Sequence, residues 1–201
     1  DDDTHITPVV FPLCRIFCDV ERLPHDPLEA KGLGISYMDI RTLDSEDKMR
    51  KHYDDEHKAF RLYSEHHERM SQLIIEKTSS YGDKVLLIDC HSFSSRPNRL
   101  NPNAQETSGI DICIGYNEDE SNPGTCVLDT VKNHFLSCGY NVAVNTPFSN
   151  SKTFSTPASY HSLMIEVNKR LYMDEDTGER IETFSSLRRD ICSLYTRLEL
   201  R

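Results

Sequence analysis

Four clusters of polar side chains follow short apolar runs in the 201-residue chain: Asp19-Val20-Glu21-Arg22, Asp89-Cys90-His91-Ser92, Asn145-Thr146-Pro147 and Glu166-Val167-Asn168. Their residue types are those of metal-assisted hydrolysis. A neutral imidazole such as His91 is a good zinc ligand. Asp89, two residues back, falls on the same side of a strand and could orient that ring. The competing reading of His91 is a structural histidine satisfied by a backbone carbonyl. Glu166 ends the apolar run Leu163-Met164-Ile165. A carboxylate there is costly to bury alone, so it is either paired, with Lys169 and Arg170 as nearby cations, or functional. Beside a metal it could accept a proton from water and return it to a leaving nitrogen. Arg22 and Arg170 flank these clusters and offer the two-pronged fork that suits a substrate carboxylate, whereas Arg96 and Arg99 read as surface ion-pair formers.

Other nucleophiles are poorly placed. Ser92 adjoins His91 but lacks a Gly-x-Ser-x-Gly frame. Cys90 alternates away from Asp89 and His91. His67 falls on the apolar stripe of a helical segment and reads as packed, while its neighbour His66 could face a cleft. No glycine loop suited to cradling phosphate occurs.

The elements that must position these groups alternate. An edge or bent strand is expected from Val9 to Val20, interrupted by Pro12. Residues 23–43 carry Pro24, Pro27, Gly32 and Gly34 and read as loop. A long helix opens near Ser45, with Met49, Tyr53, Phe60, Tyr63, His67, Met70 and Ile74 on one stripe, and stops between Ser79 and Gly82. Strands are expected at Val85–Cys90, Ile110–Gly115, Tyr140–Asn145 and Leu163–Val167, with a loop at Ser94–Gly109. Helices are expected from Thr125 to Cys138, capped by Gly139, and over the stripe Phe184, Leu187, Ile191, Leu194, Tyr195 and Leu198. This rhythm predicts an α/β fold: a mostly parallel central sheet flanked by helices, with chemistry at the carboxyl ends of the strands.

Composition narrows the partners. Thirty-three acidic residues against 23 basic ones give a net charge of −10, which disfavours nucleic acid and anionic membranes, and no basic patch offsets it. No apolar run reaches the ~20 residues of a membrane-spanning helix. Seven cysteines, an odd number without a Cys-x-x-Cys pair, fit reduced thiols in a cytoplasmic protein.

Five of these segments, taken in order, resemble the N-formylglutamate amidohydrolase family. They are Asp19-Val20-Glu21-Arg22, Leu86 to Phe93 with its Asp89-Cys90-His91-Ser92-Phe93 end, Asp111-Ile112-Cys113-Ile114-Gly115, Asn145-Thr146-Pro147-Phe148, and Met164 to Met173. The last is the most specific. The resemblance runs from about Val9 to the C-terminus. It implies one amidohydrolase-like domain over residues 1–201, on the α/β fold shared with zinc carboxypeptidases. It implies a zinc cofactor and a small N-acyl amino acid substrate, N-formyl-L-glutamate being cleaved to formate and L-glutamate in bacterial histidine breakdown. It also implies His91 as a metal ligand, Glu166 as general base and acid, and Arg22, Asn145 and Arg170 at substrate-binding positions.

One departure stands out. The family typically begins with a strand ending in a Pro-His-Ser type motif, which looks like the source of an early metal ligand; none precedes Val9. The expectation is therefore a chain lacking its N-terminal strand, with His5 as a substitute ligand because Asp3-Thr4-His5 is similar to a later Asp-x-His segment of the family. Two alternatives remain open: hydrolysis of another N-acyl amino acid or a C-terminal peptide bond, and a ligand-binding relative impaired in catalysis.

Overall fold

The computed structural model describes residues 5–13, 18–21, 56–96, 107 and 109–199. Helix α1 (Glu56–Tyr81) leads through a short 3-10 turn at Gly82–Lys84 into strand β1 (Leu86–Phe93). There follow β2 (Ile112–Gly115), helix α2 (Gly124–Ser137), β3 (Val142–Val144), β4 (His161–Asn168) and helix α3 (Phe184–Glu199). The beginning of the helical stripe, with Met49 and Tyr53, lies outside the described residues.

The four strands form one sheet in the order β1-β4-β2-β3. Strands β1 and β4 are parallel, as are β2 and β3, while β2 runs antiparallel to β4. The β2-α2-β3 unit is the helical crossover that a parallel pair requires. Gly139 closes α2 with φ near 90° and donates its N–H to the Leu136 carbonyl, as its place after the apolar stripe foretells. The sheet is thus mixed but mostly parallel, with helices flanking it.

Strand alternation gives the sheet two different faces. One packs Ile112, Ile114, Leu163, Ile165 and Val167 against Val131 and Phe135 of α2 and Leu187 and Leu194 of α3. Leu86 and Ile88 join that cluster from β1. On the other face Leu87 packs near Met70 and Ile74 of α1, Phe154 and Tyr160. Towards the carboxyl ends of β1 and β4 this second face turns polar, carrying Asp89, His91, Glu166 and Asn168. Gly115 belongs to that face because of a close approach: a Cβ there would lie 2.3 Å from the Asn150 carbonyl oxygen and 2.4 Å from Met164 Cε.

Two expectations change. The described parts of the Val9–Val20 segment, residues 9–13 and 18–20, contain no strand. Pro8 and Pro12 each remove a backbone donor, and the apolar residues act as plugs instead: Val9 packs beside Met70 and Ile74, and Phe11 beside Cys18, Val20 and Tyr63. Strand β1 also continues past Cys90 to Phe93, so His91 lies within a strand rather than after one.

Leu163 is fully buried between the sheet and its helices. Leu163→Ala is expected to cost about 2–5 kcal/mol of unfolding free energy, measured by urea denaturation. The same truncation at Phe60, which is half exposed, should change stability by less than about 0.5 kcal/mol.

Candidate functional site

The site is assembled from β1, β4 and the turn at Val20-Glu21. On β1, Asp89 and His91 share one face by the two-residue alternation. The parallel register sets His91 directly beside Glu166 of β4, and Asp89 beside Met164. Neighbouring strands are about 4.8 Å apart, so the imidazole and the Glu166 carboxyl start from adjacent backbone positions and leave the same face. On its other side Glu166 is paired with Cys113 of β2. Burial pushes the Cys113 thiol above its ordinary value, and the neighbouring Glu166 charge adds to the rise. That thiol points to the Thr146 and Phe148 carbonyls at 3.4 and 3.3 Å, and is a packed donor rather than a nucleophile.

The turn supplies the third component. Asp19, almost fully buried, accepts the Glu21 N–H at 3.1 Å. His67 on α1 lies with Nε2 2.9 Å from the Val20 carbonyl. Only a protonated nitrogen can donate there, which fixes the proton of that ring on Nε2. Glu21 Oε2 thereby comes within 3.5 Å of His91 Nε2, while Asp89 Oδ1 lies 2.9 Å from the same nitrogen. Glu21, Asp89 and His91 each offer a ligand atom, all within 4.8 Å of one another. All three are only partly accessible, with side-chain exposures of 33, 12 and 23%.

This arrangement revises the role expected of Asp89. A carboxylate that orients a metal-bound histidine holds the ring nitrogen away from the metal. Here Asp89 and Glu21 converge on one nitrogen, as two carboxylates do when they share a cation with it. Two hard oxygen donors and an imidazole suit a divalent transition ion, zinc included, and three protein ligands with room for water is the pattern of a catalytic zinc site. The residues present therefore fit a metal. Without one, a proton takes its place. Burial pulls the His91 pKa down, but hydrogen bonds and charge from Asp89 and Glu21 overcome it and raise it from 6.5 to about 10.

The other candidates do not join that ligand set. His5 contacts Tyr81, its Nδ1 3.3 Å from the phenol oxygen. Tyr81 ends α1 just before β1 begins, so His5 sits at the opposite end of that strand from His91 and is not one of the converging ligands. Asn145, with φ of 52°, follows β3 and accepts the Tyr116 N–H at 2.9 Å. It is three strands, or roughly 14 Å, from β1, and its side chain fastens the exit of β2. Arg170 follows β4 and donates to Asp111 Oδ1 at 2.5 Å, not to Glu166. Arg22 lies outside the described residues, as does Arg99. Arg96 forms an exposed fork with Asp176, in keeping with its surface reading. Cys90 faces away from the site, its Sγ 3.5 Å from Tyr195 Oη on α3. Within the Asp19–Arg22 cluster the sequence singles out Arg22 for its charge and gives Glu21 no separate role. The signal for Glu21 was its place beside Asp19, whose side chain folds the turn.

Comparison with known proteins now bears on the chemistry. A family model described as N-formylglutamate amidohydrolase matches residues 1–173. The chain belongs to the N-formylglutamate amidohydrolase family. Its class of reaction is the hydrolysis of amides. No curated protein matches the chain. Among solved structures, the fold is similar to N-formylglutamate amidohydrolase from Ralstonia eutropha JMP134, with a TM-score of 0.69 and 22% identity over 92% of this chain and 72% of that one. It is also similar to a gene product of Agrobacterium tumefaciens, with a TM-score of 0.57 and 18% identity over 92% of this chain and 66% of that one. No helix among the described residues is long and apolar enough to cross a membrane.

The raised His91 pKa gives this family member a testable pH dependence. A group whose pKa is higher folded than unfolded adds stability that is complete below the unfolded value and lost as pH climbs through the folded one. Metal-free protein is therefore expected to lose unfolding free energy between about pH 6.5 and 10, followed by denaturant titration at several pH values. His91→Gln should flatten that slope.

Proposed function

We propose that the chain hydrolyses the formyl amide of N-formyl-L-glutamate to formate and L-glutamate, using zinc held by Glu21, Asp89 and His91. The observation that supports this reading best is the register of β1 against β4. It puts a buried carboxyl beside the imidazole of the candidate ligand set, on one face of the sheet. When bound there, a zinc ion would supply Lewis-acid polarisation of the amide carbonyl and a lowered pKa for a coordinated water.

The chain's own residues do the rest. Glu166 takes the proton released as water attacks the carbonyl carbon, and then delivers it to the glutamate nitrogen as the C–N bond breaks. The formyl carbon leaves as formate and the nitrogen as an amine, so one water is consumed. A single carboxyl suffices because the two transfers are sequential. Its burial beside Cys113 and Met164 keeps bulk water from competing for that proton. Arg170, at the end of β4 and half exposed, spends one N–H on Asp111. A guanidinium has five such donors, and we assign it to a substrate carboxylate. Arg22, next in sequence to Glu21, is the second cation we assign to that role. This reading takes a small N-acyl amino acid, rather than a nucleic acid or a membrane, as the partner of the site.

Glu166→Gln keeps shape and hydrogen bonding but removes the proton acceptor. With zinc loaded, kcat for formate release from N-formyl-L-glutamate is expected to fall by about 10²–10⁴-fold, while zinc affinity changes little. Turnover near wild type would remove Glu166 from the mechanism. Activity on N-acetyl amino acids but not on the formyl compound would keep the hydrolase and change its substrate.

A further inference from the structure

Lys152 lies in the stretch between β3 and β4 and belongs to none of the clusters that the sequence marks as chemical. Its backbone N–H donates to Asp89 Oδ2 at 3.0 Å. Its ammonium reaches across to donate to the Glu21 carbonyl at 2.8 Å. Its own carbonyl accepts the hydroxyl of Ser162, a fully buried residue of β4, also at 2.8 Å. One residue thus ties together three separate pieces of chain: β1 through Asp89, β4 through Ser162, and the turn that carries Glu21.

The consequence follows from what each carboxylate rides on. Asp89 is fixed by the hydrogen bonds of β1. Glu21 has no strand beneath it, and two like charges held this close push the turn away from the sheet. Backbone carbonyls on both sides of that peptide link are caught instead, Val20 by His67 and Glu21 by Lys152. The ammonium also lies 5.8 Å from the Phe154 ring centroid, a second contact that directs it towards the turn.

We infer that Lys152 is a positioning residue for the metal site: its side chain holds Glu21, and its backbone holds Asp89, in the arrangement that a divalent ion requires. The inference rests on the metal-binding role proposed above for Glu21, Asp89 and His91. Groups behind metal ligands commonly contribute 10–100-fold in metal affinity.

The test is zinc titration by calorimetry on the whole chain, with cobalt(II) visible absorption as a second readout of ligand geometry and circular dichroism as the check on folding. Lys152→Met removes the ammonium and keeps the backbone contact; it is expected to weaken zinc about 10–100-fold and to alter the cobalt spectrum. Lys152→Arg, which can still donate to the carbonyl, should restore most of the affinity. Ser162→Ala, which loosens the Lys152 backbone without changing any charge, should lose several-fold and serves as the informative arm if Lys152→Met does not fold. A folded Lys152→Met protein with wild-type zinc affinity and cobalt spectrum would overturn the inference. Wild-type protein that shows no saturable zinc binding, or binding that Glu21→Gln leaves intact, would instead overturn the underlying ligand assignment and the inference with it.

Discussion

Two carboxylates and an imidazole meeting at one nitrogen is the constraint that organises the rest of the structure. Ligand atoms of Glu21 and Asp89 lie within 4.8 Å. At an effective dielectric of about 20, two unit charges at that spacing repel by roughly 3–4 kcal/mol, a sizeable fraction of the ~5–15 kcal/mol that holds a domain folded. A cation has to sit between them. A proton on His91, whose pKa the two carboxylates raise to about 10, meets that need in the metal-free chain, and a divalent ion would meet it under the function proposed above. The surrounding chain holds both carboxylates in place: the Lys152 amide donates to Asp89, the Glu21 amide donates to Asp19, and the Lys152 ammonium donates to the Glu21 backbone carbonyl.

The sheet separates this costly cluster from the source of its stability. Strand β4 lies between β1 and β2, and its alternate residues do opposite work. Leu163, Ile165 and Val167 bury themselves against α2 and α3, while Ser162, Glu166 and Asn168 look to the other side. Those polar groups are buried as well, and two of them are visibly satisfied by backbone carbonyls. Ser162 donates to Lys152, and Asn168 donates to the Ile110 carbonyl at 2.8 Å. A one-residue slip of β4 would send Glu166 into the apolar layer and Ile165 into the site. The hydrophobic layer therefore enforces the register on which the chemistry depends.

Much of the scaffold was legible because its signals are local and periodic. The α2 stripe with Gly139 behind it, the α3 stripe from Phe184 and the apolar run into Glu166 each specify an element without reference to the rest. The two residues proposed for ligand and proton transfer, His91 and Glu166, were legible as residue types following apolar runs. The proposed chemistry requires them to share a pocket, and the strand register sets them side by side on one face; that register was not legible, because pairing of β1 with β4 joins segments separated by a whole β-α-β unit. The antiparallel run of β2 escaped for the same reason. Glu21 lies in a turn, where no periodicity tells which polar residue of the Asp19–Arg22 cluster faces the sheet. Lys152 gave no signal at all: its contacts with Asp89 and Ser162 are made by the backbone, and any residue type except proline supplies both. The described parts of the Val9–Val20 segment hold no strand, and Val9 and Phe11, which fill gaps beside α1, look the same in sequence as residues of a strand.

These origins divide the site into parts of unequal rigidity. His91, Asp89 and Glu166 stand on paired strands, where moving one side chain means disturbing a hydrogen-bonded ladder and the apolar layer beneath it. Glu21 stands on a turn held by a few side-chain bonds, each worth on the order of 1 kcal/mol net, or somewhat more where a charge takes part. Local opening draws on the weakest such unit first. In this chain that unit carries a proposed metal ligand, whereas the carboxyl proposed for proton transfer is on the stiffer part. Metal retention is therefore expected to respond to changes around α1 and Lys152 that leave the geometry of β1 and β4 intact. Opening of this turn would leave the fold standing, because neither the β1–β4 register nor the α2 and α3 contacts pass through it.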